Sequence, residues 1–306
     1  MRKDIIGALF IFAAAVIWGL SGSIQTIGNE YMGVLTFNAS RAILGAVCLI
    51  PFAYISVKAS RKKLNWKKLL KGGIPAGAAL CSALTIQQFC LKELMVGKVI
   101  FLTSLYVIMV PIMLWPKAGN PGKRFAIALA FVLVGLYILC MKGGRFDFSP
   151  PELLMLGCAF ANAIMILVID HYSKEVDCLA LTAVECATMA ALSIPAMFVF
   201  EEPTFAQLTA GWETIFYTGV MSSAVAYSCQ ALGQKYCEPS VASLLLTLET
   251  PCAVIGAWLI LSQTMELSEI IGCIFMFIGI VIIEIPTKSI RNLSFGINFT
   301  KKESKK

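Results

Sequence analysis

Charge is what this chain has least of. Asp, Glu, Lys and Arg make up only 14% of its 306 residues, while 58% are apolar and the mean hydropathy is +0.80. A water-soluble domain cannot bury that much apolar side chain, so the expected solvent is a lipid bilayer. Histidine is nearly absent, with His171 alone, beside Asp170 where an apolar run ends. There is no His-Glu-x-x-His, no Gly-x-Ser-x-Gly and no glycine-rich loop ending in Gly-Lys-Ser or Gly-Lys-Thr. The commonest signatures of zinc proteases, serine hydrolases and nucleotide hydrolysis are therefore missing. No catalytic residue, cofactor or metal ligand is expected. Eleven cysteines occur without a Cys-x-x-Cys pair, and nine of them fall inside apolar runs, where cysteine packs as a small apolar residue. Basic residues exceed acidic ones by seven, but no soluble domain exists to present them as a face for nucleic acid.

What the chain does have is long apolar runs, ten of them, near Ile5–Ile27, Val34–Val57, Leu69–Cys90, Val99–Trp115, Phe125–Met141, Leu153–Ile169, Leu179–Phe200, Ile215–Leu232, Val241–Leu261 and Ile270–Ile285. About 20 residues of helix cross the hydrocarbon, and none of the runs alternates as a barrel strand would. The fold class expected is an all-α polytopic membrane protein. Arg2 and Lys3 before the first run imitate a secretion signal, but the run continues through Trp18 and is longer than a signal core. With the N-terminus inside, the cytoplasmic segments hold twenty Lys and Arg and the opposite side four, Lys92, Lys98, Lys142 and Arg145. That asymmetry predicts a cell-membrane protein with both termini in the cytoplasm.

The runs also repeat, about 143 residues apart. Pro51 returns as Pro195, Ala46 as Ala190, Ala83 and Gln87 as Ala226 and Gln230, Lys92 as Lys235, Leu102 and Leu105 as Leu245 and Leu248, and Gly135 as Gly279. Five spans per half is an odd number, so the second half must thread the bilayer upside down. The expected organisation is ten transmembrane helices as two inverted five-helix repeats, 1–145 and 146–288, followed by a basic cytoplasmic tail, 289–306. Two inverted halves can enclose a central cavity that opens to either side, which is how secondary transporters are built.

Ionisable residues well inside spans are costly and mark cavities or partners. There are three, Arg41, Glu185 and Glu249. Glu249 sits near the middle of the ninth run, in Thr247-Leu248-Glu249-Thr250-Pro251, where Pro251 cannot donate to the carbonyl of Thr247. Arg41 and Glu185 fall at near-equivalent positions of the repeat, so each suits a gate on its own side, or an anchor that snorkels outward for Arg41 and inward for Glu185. Uncharged candidates are Trp18, Ser21 and Gln25 on one face of the first span, Asn38 one turn before Arg41, and Gln87 and Gln230. Ser104 and Tyr106 in the fourth span, Asn162 at the position equivalent to Trp18, and Thr247 complete the cavity set. A polar and aromatic lining of this kind suits a small organic solute, and the competing reading of each residue is a bond between helices. Gly73 and Gly77, with Pro75 between them, read as a site of close helix contact. Pro51, Pro111, Pro195 and Pro251 are the candidate hinges.

These segments resemble the EamA-like ten-helix members of the drug/metabolite transporter superfamily over about residues 5–286. The resemblance rests on Ile17-Trp18-Gly19, Arg41, the stretch Phe101-Leu102-Thr103-Ser104-Leu105-Tyr106-Val107, the stretch Ala242-Ser243-Leu244-Leu245-Leu246-Thr247-Leu248-Glu249 before a proline, and Gly272 through Gly279. The chain departs from the family pattern where Thr250 separates Glu249 from Pro251, and where Ser262 and Gln263 stand in place of an acidic residue, with Glu266 later. The resemblance implies transport of small metabolites such as amino acids, their derivatives, amines or drugs, with export favoured. A small-molecule substrate and the lipid bilayer are the partners expected, a proton is the candidate coupling ion through Glu249, and the sequence leaves the oligomeric state open. The competing class is a membrane-embedded enzyme or lipid-handling protein. It would need a cluster of nucleophile, acid or metal ligands that the sequence does not offer.

Overall fold

The structure, a computed structural model, describes residues 3–60, 64–118, 122–140, 149–262 and 267–284, and all regular structure among them is helical. The first half contains α1 (Lys3–Tyr31), α2 (Val34–Ser60), α3 (Trp66–Cys90), α4 (Val96–Ser104), α5 (Tyr106–Ala118) and α6 (Lys123–Cys140). The second contains α7 (Pro150–Ser173), α8 (Cys178–Phe200), α9 (Phe205–Ala210) and α10 (Trp212–Phe216). A π-helical segment (Tyr217–Ala226), α11 (Tyr227–Gln234), α12 (Pro239–Leu246), α13 (Glu249–Leu261) and α14 (Leu267–Glu284) follow. The tail 289–306, the ends of the fifth and tenth runs at Met141 and Ile285, and Gln263 and Glu266 lie outside the described residues.

Seven described stretches are long and apolar enough to cross a bilayer, and they correspond to the first, second, third, fourth, sixth, seventh and ninth runs. The ten runs do not become ten uninterrupted helices. The eighth run begins in α10 and passes through the π segment into α11, and in the π segment the Ser223 hydroxyl bonds the carbonyl of Thr218, five residues back. The fifth and tenth runs form α6 and α14, each of 18 residues. Large apolar side chains cover the outside of the bundle, Phe52, Tyr54, Phe198 and Ile274 among them, as a lipid-facing surface requires.

Two sets of helices at equivalent places in the repeat, α2 with α8 and α6 with α14, pack against each other in antiparallel pairs. At one end of the α2–α8 pair, Glu201, just past α8, accepts from the backbone N–H of Leu35 (3.0 Å) and Thr36 (2.8 Å) and from the Thr36 hydroxyl (2.7 Å). It thereby caps the start of α2 with a carboxylate, where the helix dipole favours negative charge. At the other end Asp177 caps α8 through Ala180 N and accepts from Ser56 of α2 at 2.6 Å. The α6–α14 pair is joined by Arg124, whose Nε donates to the Ile282 carbonyl at 2.6 Å. Glycine makes that pair close: a Cβ on Gly135 would lie 2.6 Å from the Gly272 carbonyl oxygen, and one on Gly279 would lie 2.7 Å from that of Ala128. Gly73 and Gly77 of α3 do the same against α8, at Val184, Glu185 and Thr188.

The fourth and ninth runs are each broken in the middle, and they pack beside each other at the centre of the bundle. Leu105 (φ −61, ψ −12) separates α4 from α5, and Thr247 (−62, −14) and Leu248 (−59, −16) separate α12 from α13. These are 3₁₀ values, and the backbone bonds there run to the third residue back, as in Leu105 N to Leu102 O and Leu248 N to Leu245 O. The tightened turn corrects one expectation. The Thr247 carbonyl is not left free by Pro251, because the N–H of Thr250 donates to it at 3.0 Å. Of the four candidate hinge prolines, Pro111 and Pro251 are buried inside α5 and α13, while Pro51 and Pro195 lie on exposed faces of α2 and α8, which continue through them.

Candidate functional site

A cavity of about 30 Å³ lies between the two halves. Trp18 and Gln25 of α1, Arg41 of α2, Leu84 and Gln87 of α3, and Thr103 and Tyr106 around the first break line it from the N-terminal half. The C-terminal half supplies Asn162, Met165 and Ile166 of α7, Ser222 of the π segment, Tyr227 and Gln230 of α11, and Leu246 and Glu249 around the second break. Most of these fall into equivalent pairs of the repeat, 143 or 144 positions apart: Trp18 with Asn162, Leu84 with Tyr227, Gln87 with Gln230, Thr103 with Leu246, and Tyr106 with Glu249. The lining is thus one set of helix positions used twice, with different side chains.

The pairing fails on one wall, around Arg41. Its guanidinium is 1% exposed and donates from Nη1 to Gln25 Oε1 and from Nη2 to Ser222 Oγ, both at 3.1 Å, with Nε unpartnered. Gln25 is held in turn by Ser21, through Nε2 to Oγ at 3.1 Å. The Trp18 indole N–H donates to the Ser222 carbonyl at 3.2 Å, and its ring lies 4.7 Å from that of Tyr227. No carboxylate among the described residues pairs with Arg41, and its guanidinium lies 6.0 Å from the centre of the Phe37 ring. The Glu249 carboxyl makes no hydrogen bond or ion pair with any described residue while lining the same cavity. The Tyr106 hydroxyl, also on the wall, is unpartnered. A cation, an acid, two glutamines and a phenol therefore converge with bonding capacity unused, and such capacity in a membrane-embedded cavity is an address for a polar solute.

Eight of the twelve candidates read from the sequence lie on this cavity: Trp18, Gln25, Arg41, Gln87, Tyr106, Asn162, Gln230 and Glu249. The other four are buried elsewhere. Ser21 supports Gln25, the Ser104 hydroxyl pairs with that of Thr250 at 2.9 Å, and Thr247 bonds the Leu244 carbonyl at 2.6 Å. Asn38 is fully buried with both side-chain polar atoms unpartnered. Ser222, Tyr227 and Thr103 were missed, along with the apolar Leu84, Met165, Ile166 and Leu246. Nothing marks Met165, Ile166 or Leu246 in the sequence. Leu84 and Tyr227 carry one signal that was available, since they follow the same repeat offset as Gln87 and Gln230. His171 is exposed at the end of α7 against Tyr172, away from the cavity.

The model of the EamA-like transporter family matches residues 5–141 and again 149–285. An uncharacterized transporter of Archaeoglobus fulgidus is 25% identical over 284 residues, which cover 92% of this chain and 87% of the relative. The uncharacterized transporter YwfM of Bacillus subtilis is 25% identical over 288 residues, covering 92% and 94%. A solved crystal structure superposes with a TM-score of 0.74 at 17% identity, over 96% of this chain and 99% of that one, a likeness of fold alone. With one family model matched twice in succession over nearly its whole length, and a cavity built from the matched positions of both copies, the chain belongs to the EamA-like transporter family.

Proposed function

We propose that the chain is a secondary transporter of the cell membrane whose solute is a small, amino-acid-like zwitterion, exported rather than taken up. The observation that carries this reading is the Arg41 guanidinium, buried on the cavity wall with only neutral partners. A desolvated cation without a counter-ion is costly, and a carboxylate on the solute relieves that cost with charge-assisted hydrogen bonds. Glu249 in the same cavity provides the acid that suits an ammonium group. An amine or a cationic drug would engage Glu249 alone and leave Arg41 unmet, so a solute with both charges fits best.

About two water molecules fill a cavity of this size, so the helices must part to admit any organic solute. We take the motion to be alternating access between repeats 1–145 and 146–288, ten crossings in two inverted groups. The antiparallel packing of α2 with α8 and of α6 with α14 supports the inversion. Bending is assigned to the breaks at Leu105 and Leu248, beside Pro111 and Pro251, with Pro51 and Pro195 as outer flexible points. The termini are placed in the cytoplasm by the Lys and Arg asymmetry. Without a nucleotide-binding motif, the driving energy is a gradient of the solute or of a coupled proton, with Glu249 as its carrier. No nucleophile and acid converge at the cavity in the manner of a hydrolase, so we read the chain as no enzyme.

Purified protein in lipid vesicles, assayed for flux of labelled amino acids and amines, tests the proposal. Saturable amino-acid flux competed by unlabelled solute, and lost in Arg41→Gln, is the expected result. Flux of simple amines only, unaffected by Arg41→Gln, would replace the zwitterion with a cation. Chemical conversion of added lipid or solute without flux would replace the transporter with an enzyme.

A further inference from the structure

The repeat gives Arg41 a counterpart that the cavity does not use. Glu185 lies at the equivalent position of α8, seven residues from its start at Cys178, and is 1% exposed. Where Arg41 has Gln25 and Ser222 as partners, the repeat offsets place Ile169 and Ala79 opposite Glu185, residues that offer no side-chain hydrogen bond. Accordingly its Oε1 is unpartnered, and no described residue bonds or pairs with the carboxyl. It is not on the cavity wall. The α8 backbone at Glu185 packs on α3, which is drawn in by Gly77, at which a Cβ would collide with the main-chain carbonyl oxygen of Glu185, and by Gly73, at which one would strike Val184.

The charged and titratable groups around it come from every element packed on α8. Arg41 stands on α2 and Tyr227 at the start of α11, and both interact electrostatically with its neighbourhood. Cys186 is the next residue of α8, with its thiol on the Ser223 carbonyl of the π segment, and Glu249 of α13 lies beyond Tyr227. On α3 the thiol of Cys81 is bonded to Ser193, two turns along α8, and on α7 Tyr172 packs on Gly72. None of these is a hydrogen-bond partner of Glu185. A carboxylate in such a seam would be an unpaired charge in a dry interface, which is not sustained, so the closed seam holds the neutral acid. Metal cations are poor alternatives, because they require several oxygen ligands and the seam offers one carboxyl.

We infer that Glu185 is a proton-binding site separate from the central cavity, filled while α3 and α8 are packed together and emptied when they part. On opening, entering water accepts the proton, the electron pair of the broken O–H bond stays on the carboxylate oxygen, and hydronium leaves. On closing, the carboxylate takes a proton back before the glycine face of α3 can seal over it. The closed seam is therefore favoured by acid, and solvent access along it is favoured by base. The inference rests on the alternating-access reading but not on the identity of the solute.

Dicyclohexylcarbodiimide, which modifies protonated carboxyls in apolar surroundings, reads the site without any substrate. The full chain in phosphatidylethanolamine and phosphatidylglycerol vesicles is treated from about pH 5 to about pH 9, on either side of neutrality. Modification at Glu185 is followed by peptide mass spectrometry. Labelling that falls about tenfold or more across the range is expected, because the group exchanges its proton with water. Uniform labelling at all pH values overturns the inference, since the acid then never ionises and is only packing. Absence of labelling at every pH overturns it as well, since the carboxyl is then charged and paired. The second measurement uses Glu185→Gln, which keeps the shape of the neutral acid. It should fold with the wild-type melting temperature, while protection from hydrogen exchange along α3 and α8, which falls with rising pH in the wild type, becomes independent of pH. Retained dependence overturns the inference. If no flux is found in the wild type, the function proposed above fails while the labelling result still decides whether Glu185 binds and releases a proton.

Discussion

The two broken helices at the centre of the molecule bend at equivalent places for different local reasons. The ninth run has Pro251 three residues after Leu248, but the fourth has no proline until Pro111, six residues after Leu105. Their backbone angles at the break nonetheless agree within a few degrees. Proline is therefore not what sets the bend. What the two breaks share is a hydroxyl residue just before the leucine, Ser104 and Thr247, and each other as neighbours, with Ser104 bonded across to Thr250. Directly after the break the halves part company: Tyr106 turns a neutral phenol to the cavity where Glu249 turns an acid. A common skeleton supplies the geometry, and the asymmetry of side chains supplies the chemistry.

The largest effect should come from erasing that asymmetry. Glu249→Gln makes both sides of the centre neutral and removes the charged hydrogen bond proposed to the solute's ammonium, roughly 1.5–3 kcal/mol. The apparent affinity for an amino-acid solute should fall about 10- to 100-fold in vesicle flux, while Tyr106→Phe should cost much less. Equal losses from the two variants would mean that the cavity reads both halves alike. Next in size is the clasp on the α2–α8 pair. Glu201→Ala leaves two backbone N–H groups and a hydroxyl at the start of α2 without their carboxylate, a loss of about 0.5–2 kcal/mol typical of a helix cap. The melting temperature in detergent should drop, and Asp177→Ala should cause a similar drop from the other end.

Smaller still is the bond between the breaks. Thr250→Val removes the 2.9 Å contact with Ser104, and in a double-mutant cycle with Ser104→Ala the coupling should be near 0.6 kcal/mol, the usual size for a hydrogen bond between membrane helices. A coupling near zero would leave the crossing to packing alone. The smallest effect belongs to Pro251→Ala, which should change stability by about 0.5 kcal/mol or less and leave the 3₁₀ turn in place, because the first half makes that turn without a proline. Hydrogen exchange at Thr250 and Cys252 would show a straightened helix if proline were the cause after all.

Much of the site was legible because polar residues stand out in apolar runs. Arg41, Glu249, Gln87 and Gln230 interrupt hydrophobic stretches, and each lines the cavity. The same signal misleads where a hydroxyl is consumed within its own helix, as with Thr247 on the Leu244 carbonyl, because a sequence shows the donor but not its bond. Leu246 and Met165 are invisible for the opposite reason, since an apolar residue in an apolar run has no contrast. Ser222 was lost because its segment adopts a π register, which rotates residues off the face that a 3.6-residue period assigns to them. The clasp at Glu201 was hidden in a stretch, Glu201-Glu202-Pro203, that reads as a wetted boundary between spans. Its partners, backbone N–H groups more than 160 residues earlier, leave no trace in side-chain patterning.

The fastening of α2 to α8 at both ends constrains how this molecule can move. Neither helix can slip lengthwise past the other without releasing Glu201 at one end and Ser56 at the other. The pair must therefore travel as a single beam spanning the full thickness of the membrane. In the alternating-access motion proposed above, a beam that tilts outward at one surface would swing inward at the opposite one, so widening the entrance on one face would narrow it on the other. Exclusion of a through-pore would then follow from leverage, with no separate plug needed on either side.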